Sequence, residues 1–93
     1  MANYTVFDQG KTINGDARTL LEQIRVENSR DNAEIRGMDV DAYAQALIED
    51  AEYFLPYDLL AAMKDYKFDT DYDRALAYLS QMPTSGVKIL AAR

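Results

Sequence analysis

The 93-residue chain has no cysteine, no histidine and no tryptophan. Without cysteine there is no disulfide, no thiolate metal ligand and no thiol nucleophile. Without histidine it lacks the side chain that most often moves protons near neutral pH, and with it the Ser-His and Cys-His dyads and the commonest zinc ligand. The four glycines stand apart from one another, so neither a Gly-rich phosphate loop nor a G-x-S-x-G elbow is present. Positive charge is also short: ten Lys and Arg face sixteen Asp and Glu, a formal net charge of −6. Phosphate backbones and anionic lipid surfaces select clustered Lys and Arg, so neither nucleic acid nor membrane is expected as a direct partner. No apolar run approaches the ~20 residues that span a bilayer. The stretch Met1 to Asp8 has no basic region followed by an apolar one, as a secretory leader would, and a cytoplasmic location is expected.

What is present suffices for one core. Leu, Ile, Val and Phe number 21, enough at this length for a modestly stable globule, and a single domain over residues 1–93 is expected. Tyr4-Thr5-Val6-Phe7 and Lys11-Thr12-Ile13 flank Asp8-Gln9-Gly10, which predicts a hairpin whose short loop is closed by Gly10 with a bulge. Asn14-Gly15-Asp16 should end the second strand, and Asp16 should cap a helix whose buried stripe is Ala17, Leu20, Leu21 and Ile24. The polar stretch 28–38 reads as a mobile loop.

From Asp39 or Asp41 a second helix is predicted, with Ala44, Leu47, Ile48, Ala51 and Leu55 on one face and Asp41, Gln45, Glu49 and Glu52 on the other. Pro56 should break it and start another helix carrying Leu59, Leu60 and Met63. A last helix begins at Asp69-Thr70-Asp71 and stops before Pro83. Val87-Lys88-Ile89-Leu90 then reads as a strand that can join the hairpin. The expected fold class is α+β: an N-terminal β-hairpin and a C-terminal strand forming a small sheet packed against three to four helices.

Asp69-Thr70-Asp71-Tyr72-Asp73 opens like a calcium loop, but the sixth position is Arg74 where a glycine is needed and the twelfth is Ser80 where a glutamate is needed. It is better read as a helix start with acids at the positive end of the dipole. No metal and no cofactor is expected. Sixteen acids guarantee that some carboxylates are neighbours, which is not a signal for glycoside chemistry. The chain is read as non-enzymatic.

The charge is unevenly placed. Residues 37–73 hold ten of the acids and only Lys64 and Lys67 as bases, whereas residues 74–93 hold no acid. No base lies between Arg36 and Lys64, so Asp39, Asp41, Glu49, Asp50, Glu52 and Asp58 have no local counter-ion. The same segment carries Tyr43, Tyr53, Tyr57, Tyr66 and Tyr72, a residue type enriched at interfaces for its rigid apolar body and polar tip.

The run Asp41-Ala42-Tyr43-Ala44-Gln45-Ala46-Leu47-Ile48-Glu49-Asp50, then Pro56, Leu59-Leu60, Asp65-Tyr66 and Asp71-Tyr72-Asp73-Arg74-Ala75-Leu76 resembles the acidic helical segments of ArdA-type antirestriction proteins over about residues 39–79. That family copies the charge layout of DNA and blocks restriction enzymes by occupying their DNA-binding groove. The resemblance implies that Asp41, Glu49, Asp50, Asp65, Asp71 and Asp73 act as phosphate mimics.

The functional expectation is a binding protein whose acidic helical face, Asp41, Glu49, Asp50, Glu52, Asp65, Asp71 and Asp73, engages a basic protein surface. The partner class is a nucleic-acid-handling protein, inhibited on behalf of a phage or mobile element. The alternative is an accessory or homo-oligomeric subunit joined through Tyr53, Phe54, Tyr57 and Leu60.

Overall fold

The computed structural model describes residues 2–93. Two strands, β1 (Asn3–Asp8) and β2 (Lys11–Asp16), form the hairpin, and β3 (Val87–Ala92) pairs with the other side of β1. The sheet order is β2-β1-β3, antiparallel throughout, with β1 in the centre. Alternation along β1 turns Val6 inward and Phe7 outward, and Val6 meets Ile13 on one side and Ile89 on the other. One face of the sheet is therefore apolar and packs on helices.

The hairpin loop is tighter than the expected bulged one. Gln9 and Gly10 both take positive φ, 50° and 83°, and Asp8 pairs directly with Lys11. Two consecutive left-handed residues give the turn whose twist matches that of the strands, so no extra residue is needed. The bulge lies elsewhere: Thr5 pairs with Ala91 but Val6 with Ile89, which leaves Leu90 without a partner on β1. Gly15 does not end β2, which runs on to Asp16 opposite Asn3.

Helix α1 (Ala17–Ser29) starts where Asp16 accepts the Thr19 N–H at 2.8 Å. It buries Ala17, Leu20, Leu21 and Ile24, the stripe given by the spacing. The stretch 28–38, expected to be a mobile loop, is instead built around a single helical turn, α2 (Ala33–Arg36). Asn32 accepts the Glu34 and Ile35 N–H groups, and the Arg36 guanidinium donates to the carbonyls of Ser29 and Arg30. Ile35 and Met38 then pack against the core. Its polar residues satisfy the backbone of the turn, where composition suggested that they would dissolve it.

Helix α3 (Val40–Phe54) is capped by Asp39, and α5 (Asp71–Gln81) by Thr70. Leu55 takes an extended conformation and Pro56 precedes α4 (Tyr57–Asp65), the break expected at that dipeptide. The fold class is α+β as expected, with five helices among the described residues because α2 adds one. Among the described residues no helix is long and apolar enough to cross a membrane.

The main core lies between the sheet and α1, α3 and α5, with Val6, Leu20, Leu21, Ile24 and Leu76 at its centre. A second cluster, Ala51, Leu55, Leu60 and Tyr78, fills the angle between α3, α4 and α5. Ile48 and Met82 touch both.

Asp8, at the inner end of β1, is only 3% exposed. Burial pushes its carboxyl above the ordinary range; Lys11 pulls it back and Glu27 adds to the rise. The folded state therefore binds this proton more readily than the unfolded chain. The contribution of Asp8 to stability is fully present below the unfolded pKa of about 3.9 and is lost as pH rises through the folded value. Asp8→Asn should raise stability at pH 7 by on the order of 1 kcal/mol, with the gain vanishing near pH 3, in urea unfolding followed by circular dichroism.

Candidate interaction surface

The outward face of α3 carries Asp41, Gln45, Glu49, Asp50 and Glu52, all exposed. The helical repeat that sends Ala44, Leu47 and Ala51 into the core sends these residues to solvent. The first turn of α5 packs beside the first half of α3. There Gln45 Nε2 donates to Asp71 Oδ2 at 3.3 Å, and the Tyr72 hydroxyl donates to Asp41 Oδ1. Asp41 and Asp71 thus border one surface hollow of about 310 Å³, together with Ala44, Gln45 and Tyr72. The Arg18 guanidinium lies over the Tyr72 ring, 5.9 Å from its centroid. Acceptance of its proton by Asp41 holds the Tyr72 phenol above its ordinary pKa, and Arg18 acts in the opposite sense.

At the other end, the break at Leu55-Pro56 leaves three aromatic side chains standing in solvent. Tyr53 is 85% and Tyr57 83% exposed, and Phe54 is exposed between them. Glu49 and Asp50 precede Tyr53 by four and three positions, the spacing that places helix side chains side by side. Asp58 follows Tyr57 directly. These acids and exposed rings share the segment 49–58, which runs through the break between α3 and α4.

Two of the expected acidic residues are not free members of this face. Asp73 is only 8% exposed. Its Oδ1 accepts the Tyr4 hydroxyl at 2.6 Å and its Oδ2 accepts the Thr70 hydroxyl at 2.5 Å, while its own N–H donates to Thr70 Oγ1. It locks the start of α5 to the central strand. Burial is the main cause, and the bond to Asp73 the next, of a Tyr4 pKa raised well above that of a free phenol. Glu52, read from sequence as lacking a counter-ion, meets Lys64 of α4 at 2.5 Å.

Leu60 is also not on the surface. At 6% exposure it belongs to the second core cluster, because α4 rolls its Leu60 side toward Ala51 and Tyr78. The other expected residues, Asp41, Glu49, Asp50, Asp65, Asp71, Tyr53, Phe54 and Tyr57, are exposed.

The tyrosines divide. Tyr43 and Tyr78 are core residues whose hydroxyls accept from Asn28 and Arg74, while Tyr53, Tyr57 and Tyr66 are exposed. Arg74 also donates to the carbonyls of Met63 and Tyr66, tying the end of α4 to α5. Sequence reasoning left out Asp58, Tyr72 and Arg18 as parts of the surface. Asp58 had a signal in its position next to Tyr57 within the acidic block. The contact of Arg18 with Tyr72 had none, since it joins α1 to α5.

Comparison with known protein families, curated proteins and solved structures found no match to this chain.

The structural role of Asp73 is separable from surface charge. Asp73→Ala should cost about 2 kcal/mol, the scale of losing hydrogen bonds to a buried charged group. Asp71→Asn, on the exposed neighbour two residues earlier, should stay within about 0.5 kcal/mol in the same urea titration.

Proposed function

We propose that the protein is a non-enzymatic binding protein whose exposed acidic helical face engages a basic protein surface, in the manner of a DNA mimic acting on a nucleic-acid-handling protein. The observation that carries this reading is the placement of Asp41, Glu49, Asp50, Asp58, Asp65 and Asp71 at exposed positions of α3, α4 and the start of α5. The three ion pairs of the described residues draw only on Glu22, Glu27 and Glu52, so these six acids stand outside them. Carboxylates fixed on packed helices present a steady negative field that steers and orients a cationic groove. The resemblance of residues 39–79 to ArdA-type proteins supports the same reading.

A second reading rests on Tyr53, Phe54 and Tyr57. Three neighbouring exposed aromatics suit an apolar contact with another copy or with a partner subunit.

Immobilised protein at about 50 mM salt should retain DNA-binding proteins from its host lysate, release them at about 500 mM, and give them up to added duplex DNA. Glu49→Lys combined with Asp50→Lys should abolish the retention. Retention indifferent to salt and to duplex DNA would sink the mimic. A concentration-dependent dimer in sedimentation velocity, unchanged by salt, would favour the second reading.

A further inference from the structure

The single Asn-Gly dipeptide of the chain, Asn14-Gly15, lies on an edge strand of the sheet. We infer that Asn14 is a spontaneous modification site, converted with water to aspartate or isoaspartate at a rate set by release of β2 from β1.

The chemistry is intramolecular. The Gly15 backbone nitrogen, its proton passed to solvent base, attacks the Asn14 side-chain Cγ. The new N–C bond closes a cyclic imide, and the bond from Cγ to the amide nitrogen breaks, releasing ammonia. Water then opens the ring. Attack at Cγ restores the main chain and leaves aspartate, whereas attack at the main-chain carbonyl routes the chain through Cγ and leaves isoaspartate. In sum, an amide and water become an acid and ammonia. Glycine in the second position matters because no Cβ obstructs the approach.

The fold restrains both reacting groups. Asn3 exchanges two backbone hydrogen bonds with Arg93, at 2.9 and 2.7 Å, so its polar groups face β3. Those of Tyr4, the next residue, face β2, where its partner is Gly15, and the Gly15 N–H is thereby given to the Tyr4 carbonyl. The Asn14 amide is held as well, with Thr5 Oγ1 donating to its Oδ1 at 2.7 Å. Tyr4 is anchored from the other direction by its hydroxyl on Asp73. Strand β2 is the weaker partner: it has a strand on one side only, Asn14 is exposed, and Gly15 interrupts it. Opening this edge frees the nitrogen and the amide together. Closing it again after reaction is not equivalent, because isoaspartate lengthens the main chain by a carbon. Gly15 and Asp16 then lose their register with Tyr4 and Asn3, and Asp16 is the cap of α1.

The test is peptide-mapping mass spectrometry of the full chain incubated in mildly alkaline buffer, with Asn28 and Asn32 as internal comparators. Asn14 should convert fastest of the three, and slower than in the urea-unfolded chain by on the order of tenfold or more. The variant Gly10→Ala puts a Cβ on a residue at φ 83° that nothing crowds, so it strains only the hairpin turn. It should speed both Asn14 conversion and hydrogen exchange of the Gly15 amide on the order of fivefold. Conversion as fast in the folded as in the unfolded chain overturns the control by β2, and so does a conversion rate that Gly10→Ala leaves unchanged. Conversion in the folded protein no faster at Asn14 than at the comparators overturns the site itself.

Discussion

Helix α5 is buried on two sides at once, and the acidic surface depends on that. Ala75, Leu76 and Leu79 face the sheet and α1 in the main core, while Tyr78 turns away from them into the cluster formed with Ala51, Leu55 and Leu60. One helix thereby sets the position of α3 through the first cluster and of α4 through the second. The bond from Tyr4 to Asp73 fixes the start of α5 against the central strand, and Arg74 holds the end of α4. The carboxylates stand in a defined pattern because their helices are held from beneath by apolar packing and a few buried polar bonds. The charges themselves contribute little to this, since like charges near one another on a helix are mildly destabilising.

The same sequence segment supplies both interior and surface, and burial separates the two sets. Within residues 37–73, Val40, Tyr43, Ala44, Leu47 and Ala51 build the interior while Asp41, Glu49 and Asp50 stay in water. High-dielectric solvent keeps their mutual repulsion tolerable, and an approaching cationic surface would relieve it. On the proposed reading, that relief of repulsion is what would favour a basic partner. On the same proposal, the exposed aromatic side chains at the α3–α4 break would add contact that salt screens poorly.

Much of the architecture was legible in the sequence because its signals are local. Asp16, Asp39 and Thr70 cap helices as short polar side chains do, Pro56 breaks the long helical run, and apolar spacing marks the buried stripe of α1. What was not legible depends on distant partners. Asp73 reads as another surface acid until Tyr4, 69 positions earlier, is seen to donate to it. Glu52 reads as unpaired until the chain reverses at Pro56 and brings Lys64 back to it. Leu60 and the tyrosines fail for another reason: periodicity identifies the faces of a helix, but a short peripheral helix such as α4 buries only part of one. Tyrosine suits either environment, so Tyr53 and Tyr78 look alike in sequence and differ in role. The stretch 28–38 was misread because residues that compete with helix backbone bonds also make good caps for a single turn.

The order of strands in the sheet constrains how the chain acquires its structure. The first strand is central, and its second neighbour is the last element of the chain. The hairpin can close early because its partners are adjacent, but the edge of β1 that receives β3 stays open until the whole helical segment has been synthesised. Closing so long a loop carries an entropic cost that local helix formation does not. Strand β3 follows all five helices along the described chain, so the sheet is completed only after they have been made.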